Sequence, residues 1–582
     1  MSRLTEALAH INPGDIDDWS AIDALLTSLQ RLPSPTQPDW ESFRSRAASG
    51  IAFLTFDFGI DGVSIEISKY AKALEGLYPD QADSLIHVIG GDFYPQADSV
   101  LQPHWTRFRI AGINGWSKWD NGQWFSRLYY EDMPAGSPRS RELAQEMLKQ
   151  ALHIAGELGA YIEANDIALL IPVNIHSNPG NLALALASVM VTEILDLIVI
   201  NSNHDFYWEG GKPASERTPD EAPGVRDHFF RNVDNAPFFN LLQRLYPWRS
   251  PHWLQVNINR LQSNRLMSSF GFAPADVHEL STSISDRFLE PYTRDDVRHA
   301  RLRMAHILSD GKGVLRTTAL ASHLRDLTTW MQDQRPCVLG IEDGLQVDPT
   351  STQLLYLLQP TRVIARKRIE KDVHLIHALL EHAPFKTAFE ENDALQLVLH
   401  ITGPTPIEHQ ADLETVLHAS RDMLESLPRT TAERVMIAFS VGNEYHPSFK
   451  QKGFEPLSIE SIYRMASAVV FPSQTEGRGL PIVEASASRV PLICSRYEPG
   501  EVFAGVVGEG LPDEQQIQYT LFPEGDFSKA FLDEVSQLLL KPENAQEQLD
   551  HNFQAVRLRY RTQAMSQAFE DLLRSLWKKA GT

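Results

Sequence analysis

Two glutamates, Glu476 and Glu484, stand eight positions apart on either side of a glycine-rich stretch, and this spacing carries the clearest chemical signal in the sequence. The apolar run before them, residues 466–471, is short and β-branched, which is typical of a buried strand. Pro481 follows the glycines at a position where the first turn of a helix tolerates proline. The pattern therefore predicts a strand, a glycine turn and a helix over Val469-Val-Phe-Pro-Ser-Gln-Thr-Glu-Gly-Arg-Gly-Leu-Pro-Ile-Val-Glu.

A strand, glycine turn and helix in this order suit a phosphate group. Unpaired backbone amides and the positive end of the helix dipole face the crevice above the strand. Carboxylates do not bind phosphate, so Glu476 and Glu484 are expected to hold hydroxyl groups on either side of it. A nucleotide diphosphate sugar has this combination of an anionic middle and hydroxylated rings at both ends. The alternative is that Glu476 caps the helix and Glu484 is a solvated helix residue.

A basic run follows another predicted strand, Leu354–Leu358. Four cations, Arg362, Arg366, Lys367 and Arg368, lie within seven residues of a chain whose formal net charge is −22. Arginine can engage phosphate oxygens in a bidentate manner, and lysine adds a compact charge. The run predicts a cationic contact for an anionic ligand, although a solvated basic face is the usual explanation of such a cluster.

The Glu476 to Glu484 segment resembles the signature of the retaining glycosyltransferases of family 4, in which Phe-Pro-Ser, Glu-Gly-Phe-Gly-Leu-Pro and a second glutamate follow one another. The resemblance covers about residues 51–545. It implies an α/β protein of the GT-B class, with two Rossmann-like parallel-sheet domains facing a central cleft. The sequence departs from the signature at Arg478, where an aromatic or apolar residue is usual, and at Arg489, where a glycine usually ends the helix. A non-glycine residue in a left-handed cap costs roughly 1 kcal/mol.

The resemblance also implies roles for single residues. Arg362 and Lys367 are five positions apart, as in the family motif that grips the diphosphate, and the amides near Gly479 and Leu480 complete that grip. Glu476 would hold the hydroxyls of the donor hexose, and Glu484 those of the ribose. The implied catalytic residues are His204, Arg362, Lys367 and Glu476. The implied donor-binding residues are Gly62, Val63, Gly403, Arg362, Lys367, Glu476, Gly477, Arg478, Gly479, Leu480 and Glu484.

A second glycine loop follows the first predicted strand, Ile51–Phe56. Its spacing is not that of a dinucleotide-binding G-x-G-x-x-G loop, and a helix is predicted from about residue 64 to residue 77. The loop resembles the first loop of the same glycosyltransferases, in which Gly62 and Val63 would approach the donor diphosphate. The alternative is a glycine turn without chemical importance.

A histidine and an aspartate leave the predicted strand 197–203, where ligands of parallel sheets bind. In the family, a histidine at this place lies beside the donor sugar and the acceptor, which implies that role for His204. Taken alone, such a histidine is as often a packing residue. Acceptor binding is predicted for Asp205, Trp208 and Glu209. The long loop 209–234 is predicted to act as a lid or an acceptor-binding element.

Composition and length limit the class of protein. A chain of 582 residues is too long for one core, and it contains no apolar run of about 18 residues. The acidic charge argues against nucleic acid and anionic membranes as partners. The first residues lack a secretion signal, and the two cysteines, Cys337 and Cys494, are predicted to be buried packing residues. These features favour a cytoplasmic protein without an integral membrane segment.

Four segments are predicted along the chain. They are a helical N-terminal extension with a proline-rich linker (1–49), an N-terminal Rossmann-like acceptor domain with an interdomain connection (50–335), a C-terminal nucleotide-sugar-binding domain (336–545) and a C-terminal helix that returns to the first domain (546–582). The extension could pack on the body of the chain or on a second subunit, so an oligomer formed through it stays open.

The function expected from these features is the transfer of a hexose from a UDP-, GDP- or ADP-hexose to a small hydroxyl acceptor with retention of configuration. The strings 174–181 and 204–209 look closest to enzymes that make small compatible solutes, such as mannosylglucosylglycerate synthase and the transferring trehalose synthase, so the acceptor is expected to be a small polar sugar or a glycerate-type compound. No Asp-x-Asp motif occurs near these segments, so neither a metal nor a cofactor is expected to be required. The alternatives are a GT-B phosphorylase or epimerase, and a catalytically silent nucleotide-sugar sensor.

Overall fold

The chain divides into two compact units in the computed structural model, which describes residues 3–31, 37–116, 119, 123–405, 409–440 and 445–580. The first unit comprises Met1–Ser283 together with Thr562–Thr582, and the second comprises Ile284–Arg561. Most of the predicted proline-rich linker, residues 32–36, lies outside the described residues.

The first unit is built on a seven-stranded sheet in which every pairing is parallel. Its strand order is β5-β3-β1-β6-β7-β8-β9, and β2 and β4 pair separately. The central strands read as continuous apolar runs because helices cover both faces. The strands are β1 (Ile51–Leu54), β2 (Asp57–Phe58), β3 (Ile86–Gly90), β4 (Asp92–Phe93), β5 (Thr106–Arg109), β6 (Leu169–Pro172), β7 (Ile198–Asn203), β8 (Trp253–Asn257) and β9 (Val277–Glu279).

Helices cover the first sheet, and the N-terminal extension belongs to this cover. Leu4 and Trp19 of the extension are buried in the core of the first unit, and the Trp19 indole donates a hydrogen bond to Ser140 Oγ at 3.1 Å. The extension therefore packs on the body of its own unit. The helices are α1 (Arg3–Ala9), α2 (Trp19–Leu29), α3 (Trp40–Ala47), α4 (Gly62–Leu77), α5 (Ala82–Leu85), α6 (Gln123–Tyr129), α7 (Pro138–Ala164), α8 (Leu182–Leu195), α9 (Ala236–Leu245), α10 (Arg260–Ser268) and, from the C-terminal end, α23 (Thr562–Ala580).

The second unit is built on an eight-stranded sheet with the order β10-β11-β14-β13-β12-β15-β16-β17. Only the pairing of β11 with β14 is antiparallel among the described strands of this sheet. The strands are β10 (Ala319–Leu320), β11 (Cys337–Gly340), β12 (Leu354–Gln359), β13 (Gln396–Ile401), β14 (Val435–Phe439), β15 (Ala468–Phe471), β16 (Leu492–Cys494) and β17 (Thr520–Leu521). Two Rossmann-like α/β units with a helical N-terminal region confirm the predicted fold class.

The helices of the second unit pack on both faces of its sheet around two apolar cores. They are α11 (Arg294–Leu308), α12 (Leu324–Gln332), α13 (Glu370–Glu381), α14 (Ala383–Glu391), α15 (Gln410–Ser426), α16 (Arg429–Ala432), α17 (Ser448–Lys452), α18 (Ile459–Arg464), α19 (Leu480–Ala487), α20 (Gly500–Val507), α21 (Lys529–Leu540) and α22 (Gln546–Arg559).

The unit boundaries differ from those expected from the sequence. Residues 284–335 pack with the second unit, since α11 contributes Met304 and Leu308 to its core. At the other end, α22 stays in the second unit, and only α23 packs with the first, where Phe569 is buried against Tyr70. Apolar contacts rather than sequence position thus set both boundaries.

Both cysteines lie inside the second unit, and neither forms a disulfide. Burial raises the thiol pKa of Cys337 to about 12 and also raises that of Cys494. The prediction that they are packing residues is confirmed. No helix within the described part of the chain has the length and apolar character that a bilayer crossing requires.

Candidate active site

Three loops that carry the predicted site residues of the second unit leave neighbouring strands. Strands β13, β12 and β15 are adjacent and parallel, so their carboxyl ends lie at one edge of the sheet. The loop 360–368 follows β12, the turn 402–405 follows β13, and the loop 472–479 follows β15. Ligands of open α/β sheets bind at this edge.

An ion pair joins two of these loops. The Lys367 ammonium contacts the Glu476 carboxylate, and their side chains are only 8% and 9% exposed. Burial lowers the pKa of Lys367, and the charge of Glu476 opposes that shift. The structure thus brings together the cation and the carboxylate that the sequence placed in separate motifs.

Hydrogen bonds beside this ion pair fix the two loops against each other. The Arg366 carbonyl accepts a bond from the Gln474 amide at 2.8 Å, and the Arg366 guanidinium donates to the Thr475 carbonyl at 2.8 Å. Arg368 pairs with Glu524 at the far end of the basic run. These contacts hold the loop after β12 in place, so the position of Lys367 does not rest on its own ion pair alone.

Gly403 sets the position of Arg362. A Cβ atom at Gly403 would overlap the Thr361 carbonyl and the Arg362 amide, so only glycine permits this close approach. The Val363 amide donates to the Pro404 carbonyl at 3.2 Å and holds the same two loops together. Arg362 itself is exposed, and no described residue forms an ion pair or side-chain hydrogen bond with its guanidinium. Among the described residues of the run, Arg362 is therefore the cation whose side chain is available to a ligand.

The N-terminus of α19 has the unpaired amides that an anion requires. Gly479 precedes the helix with φ +60°, and a Cβ there would overlap the Tyr497 hydroxyl. The backbone amides of Gly477, Gly479 and Leu480 have no acceptor in the described part of the chain, and no side chain caps the helix. Such an end favours a bound anion through both its free N–H groups and its dipole.

The second glutamate, Glu484, lies in the middle of α19 and is partly buried. It hydrogen-bonds the phenol of Tyr463, which is buried in α18. Burial raises the pKa of Tyr463, and the charge of Glu484 raises it further, so the phenol stays protonated and donates. This bond fixes the Glu484 carboxylate and leaves further lone pairs for ligand hydroxyls.

The two departures from the family signature have different structural outcomes. Arg489 adopts the left-handed conformation expected of a glycine, with φ 51°. Its guanidinium lies 3.6 Å from the centre of the Phe553 ring and donates to Asp550 at 2.9 Å, which offsets the strain of that conformation. Helix α19 therefore ends with the usual backbone geometry. Arg478 is partly buried between the two glycines.

The glycine loop of the first unit, which was predicted to approach the donor, contains an aspartate that caps the following helix. Helix α4 begins at Gly62, and the Asp61 carboxylate accepts hydrogen bonds from the amides of Val63 and Ser64 at 2.9 and 3.0 Å. The amide of Val63 is thus already satisfied, which disfavours a diphosphate at this helix end. A contact between Gly62 and the donor stays a prediction.

His204 follows β7 at the carboxyl edge of the first sheet and is 8% exposed. Its imidazole lies 3.3 Å from Ser202 Oγ, and its carbonyl accepts a bond from Gln262. Asp205 is exposed and forms an ion pair with Arg226 at 3.2 Å. The role of His204 beside the donor sugar is not tested by this geometry.

The structure gives packing roles to two of the three predicted acceptor residues. Trp208 is 5% exposed and stacks on Phe206, with 4.7 Å between ring centres. Glu209 accepts bonds from the Phe206 amide and from Gln262, and burial raises the pKa of its carboxyl group. Both side chains fix the start of the loop 209–234, which leaves Asp205 as the exposed candidate for an acceptor contact.

Sequence reasoning missed Asp61, Tyr463 and Tyr497. Asp61 had a usable signal, since an aspartate directly before a helix commonly caps it. Tyr463 and Tyr497 lie far from Glu484 and Gly479 in sequence, and no motif marks them. In the described ranges, no group of three or more His, Cys, Asp and Glu side chains could hold a metal ion.

Comparison with protein families identifies part of the chain. Residues 376–541 match the family model described as glycosyl transferases group 1. The second unit carries a glycosyl transferases group 1 domain. The match begins in α13 and ends after α21, so it includes Glu476, Glu484 and Gly403 and begins just after Arg362 and Lys367. No curated protein matches the chain.

Solved structures align over nearly the whole chain at low identity. A glycosyltransferase from Rickettsia africae is 10% identical, with a TM-score of 0.49, and the alignment covers 91% of this chain and 99% of that one. An α,α-trehalose 6-phosphate synthase from Burkholderia multivorans is 13% identical, with a TM-score of 0.48 and the same coverage. A sucrose-phosphate synthase from Thermosynechococcus elongatus is also 13% identical, with a TM-score of 0.45 and again 91% and 99% coverage. Similarity at this level carries no information on substrates.

Proposed function

We propose that this protein is a retaining glycosyltransferase that moves a hexose from a nucleotide diphosphate sugar to a small hydroxyl acceptor. The observation that carries the proposal is the Lys367–Glu476 ion pair beside the open amides of α19. This ion pair joins the cationic motif and the glutamate motif at one edge of the sheet. Glu476 lies inside the region that matches the glycosyl transferases group 1, and Lys367 lies just before it.

The diphosphate would lie between Arg362 and the N-terminus of α19. Arg362 supplies an open guanidinium, and the amides of Gly477, Gly479 and Leu480 supply N–H donors. As the bond between sugar and phosphate breaks, negative charge grows on the leaving diphosphate, and donors aimed at that charge lower the barrier. One such donor is typically worth about 3 kcal/mol in the transition state.

Lys367 would serve both ends of the donor. Its ammonium has three N–H donors, so it can hold Glu476 with one and reach phosphate oxygens with the others. Glu476, oriented by that contact, would accept hydrogen bonds from the hydroxyls of the transferred hexose. Positive charge that develops on the sugar ring is also favoured by this carboxylate.

Glu484 would hold the ribose of the nucleotide. Its carboxylate is fixed by Tyr463 on one side, as an oriented acceptor for two vicinal hydroxyls requires. The base would then lie beside the turn at Gly403, which is held against the backbone of Thr361 and Arg362. His204 and Asp205 are the proposed contacts of the first unit with the sugar and the acceptor.

Calorimetric titration with UDP, GDP and ADP tests the division of roles between the two glutamates. Glu484→Gln should weaken binding of the preferred nucleoside diphosphate about tenfold or more, since hydrogen bonds to a charged group are worth about 1.5–3 kcal/mol. Glu476→Gln should leave that affinity within about threefold and reduce transfer. Glu501→Gln, which changes an exposed glutamate of the same unit, is the matched control.

Equal losses of nucleotide affinity in Glu476→Gln and Glu484→Gln would show that the roles are wrongly assigned. A phosphorylase is distinguished in the same preparation, because it would release a sugar phosphate from a disaccharide and inorganic phosphate. A silent sensor would bind the nucleotide sugar but form no product with any acceptor.

A further inference from the structure

Four amide side chains form a buried ladder inside the sheet of the first unit. Asn201 and Asn203 of β7 lie in register with Gln255 and Asn257 of β8, and all four residues are at most 1% exposed. Asn201 donates to the Gln255 side-chain carbonyl at 2.8 Å, and Asn203 donates to that of Asn257 at 3.0 Å. Strands inside a parallel sheet usually carry apolar side chains, because a buried polar group requires hydrogen bonds. Such a network of amides rigidifies the two strands.

The ladder continues into helix α10 at the carboxyl end of β8. Asn257 donates to Ser263 Oγ at 3.1 Å, and the Ile258 amide donates to the Gln262 side-chain carbonyl at 3.2 Å. Asn259 caps the helix by accepting a bond from the Gln262 amide at 3.0 Å. Gln262 is fully buried and is thus held through both its backbone and its side chain.

The contact with Ile258 decides which way the side-chain amide of Gln262 points. A backbone N–H only donates, so the side-chain oxygen faces Ile258 and the NH₂ group faces away from it. On that side, Nε2 donates to the His204 carbonyl at 2.9 Å and lies 3.1 Å from both carboxylate oxygens of Glu209. Gln262 therefore links the rigid end of β8 to the segment 204–209, which follows β7.

The segment 204–209 carries the two residues of the first unit that are proposed to face the sugar and the acceptor. Arg226 donates to the carbonyls of Phe206 and Glu209 at 2.9 and 3.1 Å, and it pairs with Asp205 at 3.2 Å. Arg226 belongs to the loop 209–234, whereas Gln262 belongs to a helix that packs beside β8 and β9. Gln262 thus ties the backbone of His204 to the frame of the unit.

We propose that Gln262 is a positioning residue of the transfer reaction and fixes the segment 204–209 so that His204 and Asp205 face the sugar and the acceptor. This inference rests on the proposed function, which assigns those two side chains to the reaction. Gln262 has no exposed surface, so it acts through the His204 carbonyl and the Glu209 carboxylate. A misplacement of about 1 Å in a reacting geometry can lower turnover about 100-fold.

Two variants separate the shape of the Gln262 side chain from its hydrogen bonds. Gln262→Met keeps the length of the side chain and removes the donor, and Gln262→Glu keeps the shape but places a second carboxylate beside Glu209. Both should lower kcat about 10- to 100-fold. Affinity for the preferred nucleoside diphosphate, measured by calorimetry with UDP, GDP and ADP, should stay within about twofold, because that site lies in the second unit.

The matched control is Gln145→Met. Gln145 also donates from a helix of the first unit to a backbone carbonyl, that of Ile16, at 2.9 Å. Its contact lies between α7 and the N-terminal extension, away from the segment 204–209. This variant should keep the wild-type kcat.

Hydrogen exchange on the full-length protein gives a readout that does not need turnover. The Phe206 amide donates to Glu209 at 2.6 Å, and the Tyr207 amide donates to the Ser177 carbonyl at 3.0 Å. Both amides should exchange about tenfold faster in the two Gln262 variants, since local opening becomes easier when a buried hydrogen bond is lost. Exchange in β1 should not change, and Gln145→Met should leave the segment 204–209 at the wild-type rate.

Wild-type kcat in either Gln262 variant, or wild-type exchange of the segment 204–209 in both, would overturn the proposal. Faster exchange in β1 as well would also overturn it, because Gln262 would then support the whole unit rather than this segment. Absence of transfer by the wild-type protein with every donor and acceptor would contradict the proposed function instead. In that case, the exchange of the segment still decides whether Gln262 fixes it.

Discussion

Replacing one member of the Lys367–Glu476 pair should lower the free energy of unfolding more than replacing both members does. The two side chains are 8% and 9% exposed, so each charge has little water to replace its partner. Breaking a buried pair from one side typically costs about 3–5 kcal/mol, whereas replacing both members with neutral residues of similar size is often close to neutral. The variants to compare are Lys367→Met, Glu476→Gln and the double variant.

The two single variants are expected to lose different amounts of folding stability. Burial already lowers the pKa of Lys367, so the ammonium can lose its proton when Glu476 is replaced. The Glu476 carboxylate in Lys367→Met has no described partner of opposite charge to take over. Lys367→Met should therefore lower the free energy of unfolding by about 3 kcal/mol or more, and Glu476→Gln should lower it by less. The double variant should be less destabilised than Lys367→Met.

Hydrogen exchange measures this cycle in the second unit alone, through peptides that cover β12 and β15. The exposed pair Arg496–Glu509, at 50% and 37% side-chain exposure, is the control and should show coupling of at most about 1 kcal/mol. Additive effects of Lys367→Met and Glu476→Gln, with coupling no larger than in the control, would refute the conclusion that the pair is buried and coupled. All three variants of the site should lose transferase activity whatever their stability.

Three further predictions concern single positions. Arg362→Ala should change the free energy of unfolding by less than about 0.5 kcal/mol, because the side chain is exposed, but should lower turnover about 100-fold or more. Circular dichroism melts measure the first effect and donor-hydrolysis kinetics the second. Activity within about threefold of wild type would rule out a role of Arg362 at the diphosphate. Gly403→Ala should destabilise the second unit and abolish nucleotide binding, because its Cβ overlaps the Thr361 carbonyl, whereas Gly477→Ala meets no atom within 4 Å and should be tolerated in thermal unfolding. Burial lowers the pKa of His400 from 6.5 to about 3, so below pH 6.5 this histidine is protonated in the unfolded chain but stays neutral in the folded one. The free energy of unfolding should therefore fall as the pH drops below about 6.5, by up to about 1.4 kcal/mol per pH unit. Urea titrations of His400→Gln should show a shallower acid dependence, and an unchanged slope would contradict the assignment.

The sequence was most informative where chemistry depends on local order. Strand, glycine turn and helix around Glu476 could be predicted because glycine, proline and apolar periodicity act over a few residues. The sequence placed Lys367 and Glu476 in separate motifs, and the structure explains their contact by the adjacency of β12 and β15 in the parallel sheet. Gly403 was predicted as a ligand-side glycine, and the structure adds the steric reason, which is its contact with the backbone before Arg362.

Contacts between distant segments could not be predicted in the same way. The burial of Trp208 depends on Phe206 and α10, and the position of α11 in the second unit depends on apolar packing that no local pattern encodes. The bond between Tyr463 and Glu484 likewise joins two helices. Asp61 is different, since its capping role was readable from the sequence and competes with the predicted role of Val63.

The most direct test of the proposed transfer is the proton spectrum of freshly formed product. The protein would be incubated with UDP-, GDP- and ADP-hexoses and a panel of small polyol and sugar acceptors, with excess EDTA present. We predict an α-linked product from an α-linked donor, formed in the presence of EDTA, because Arg362, Lys367 and the amides of α19 offset the charge of the diphosphate. A β-linked product, or activity that is lost in EDTA and restored by magnesium, would contradict this account.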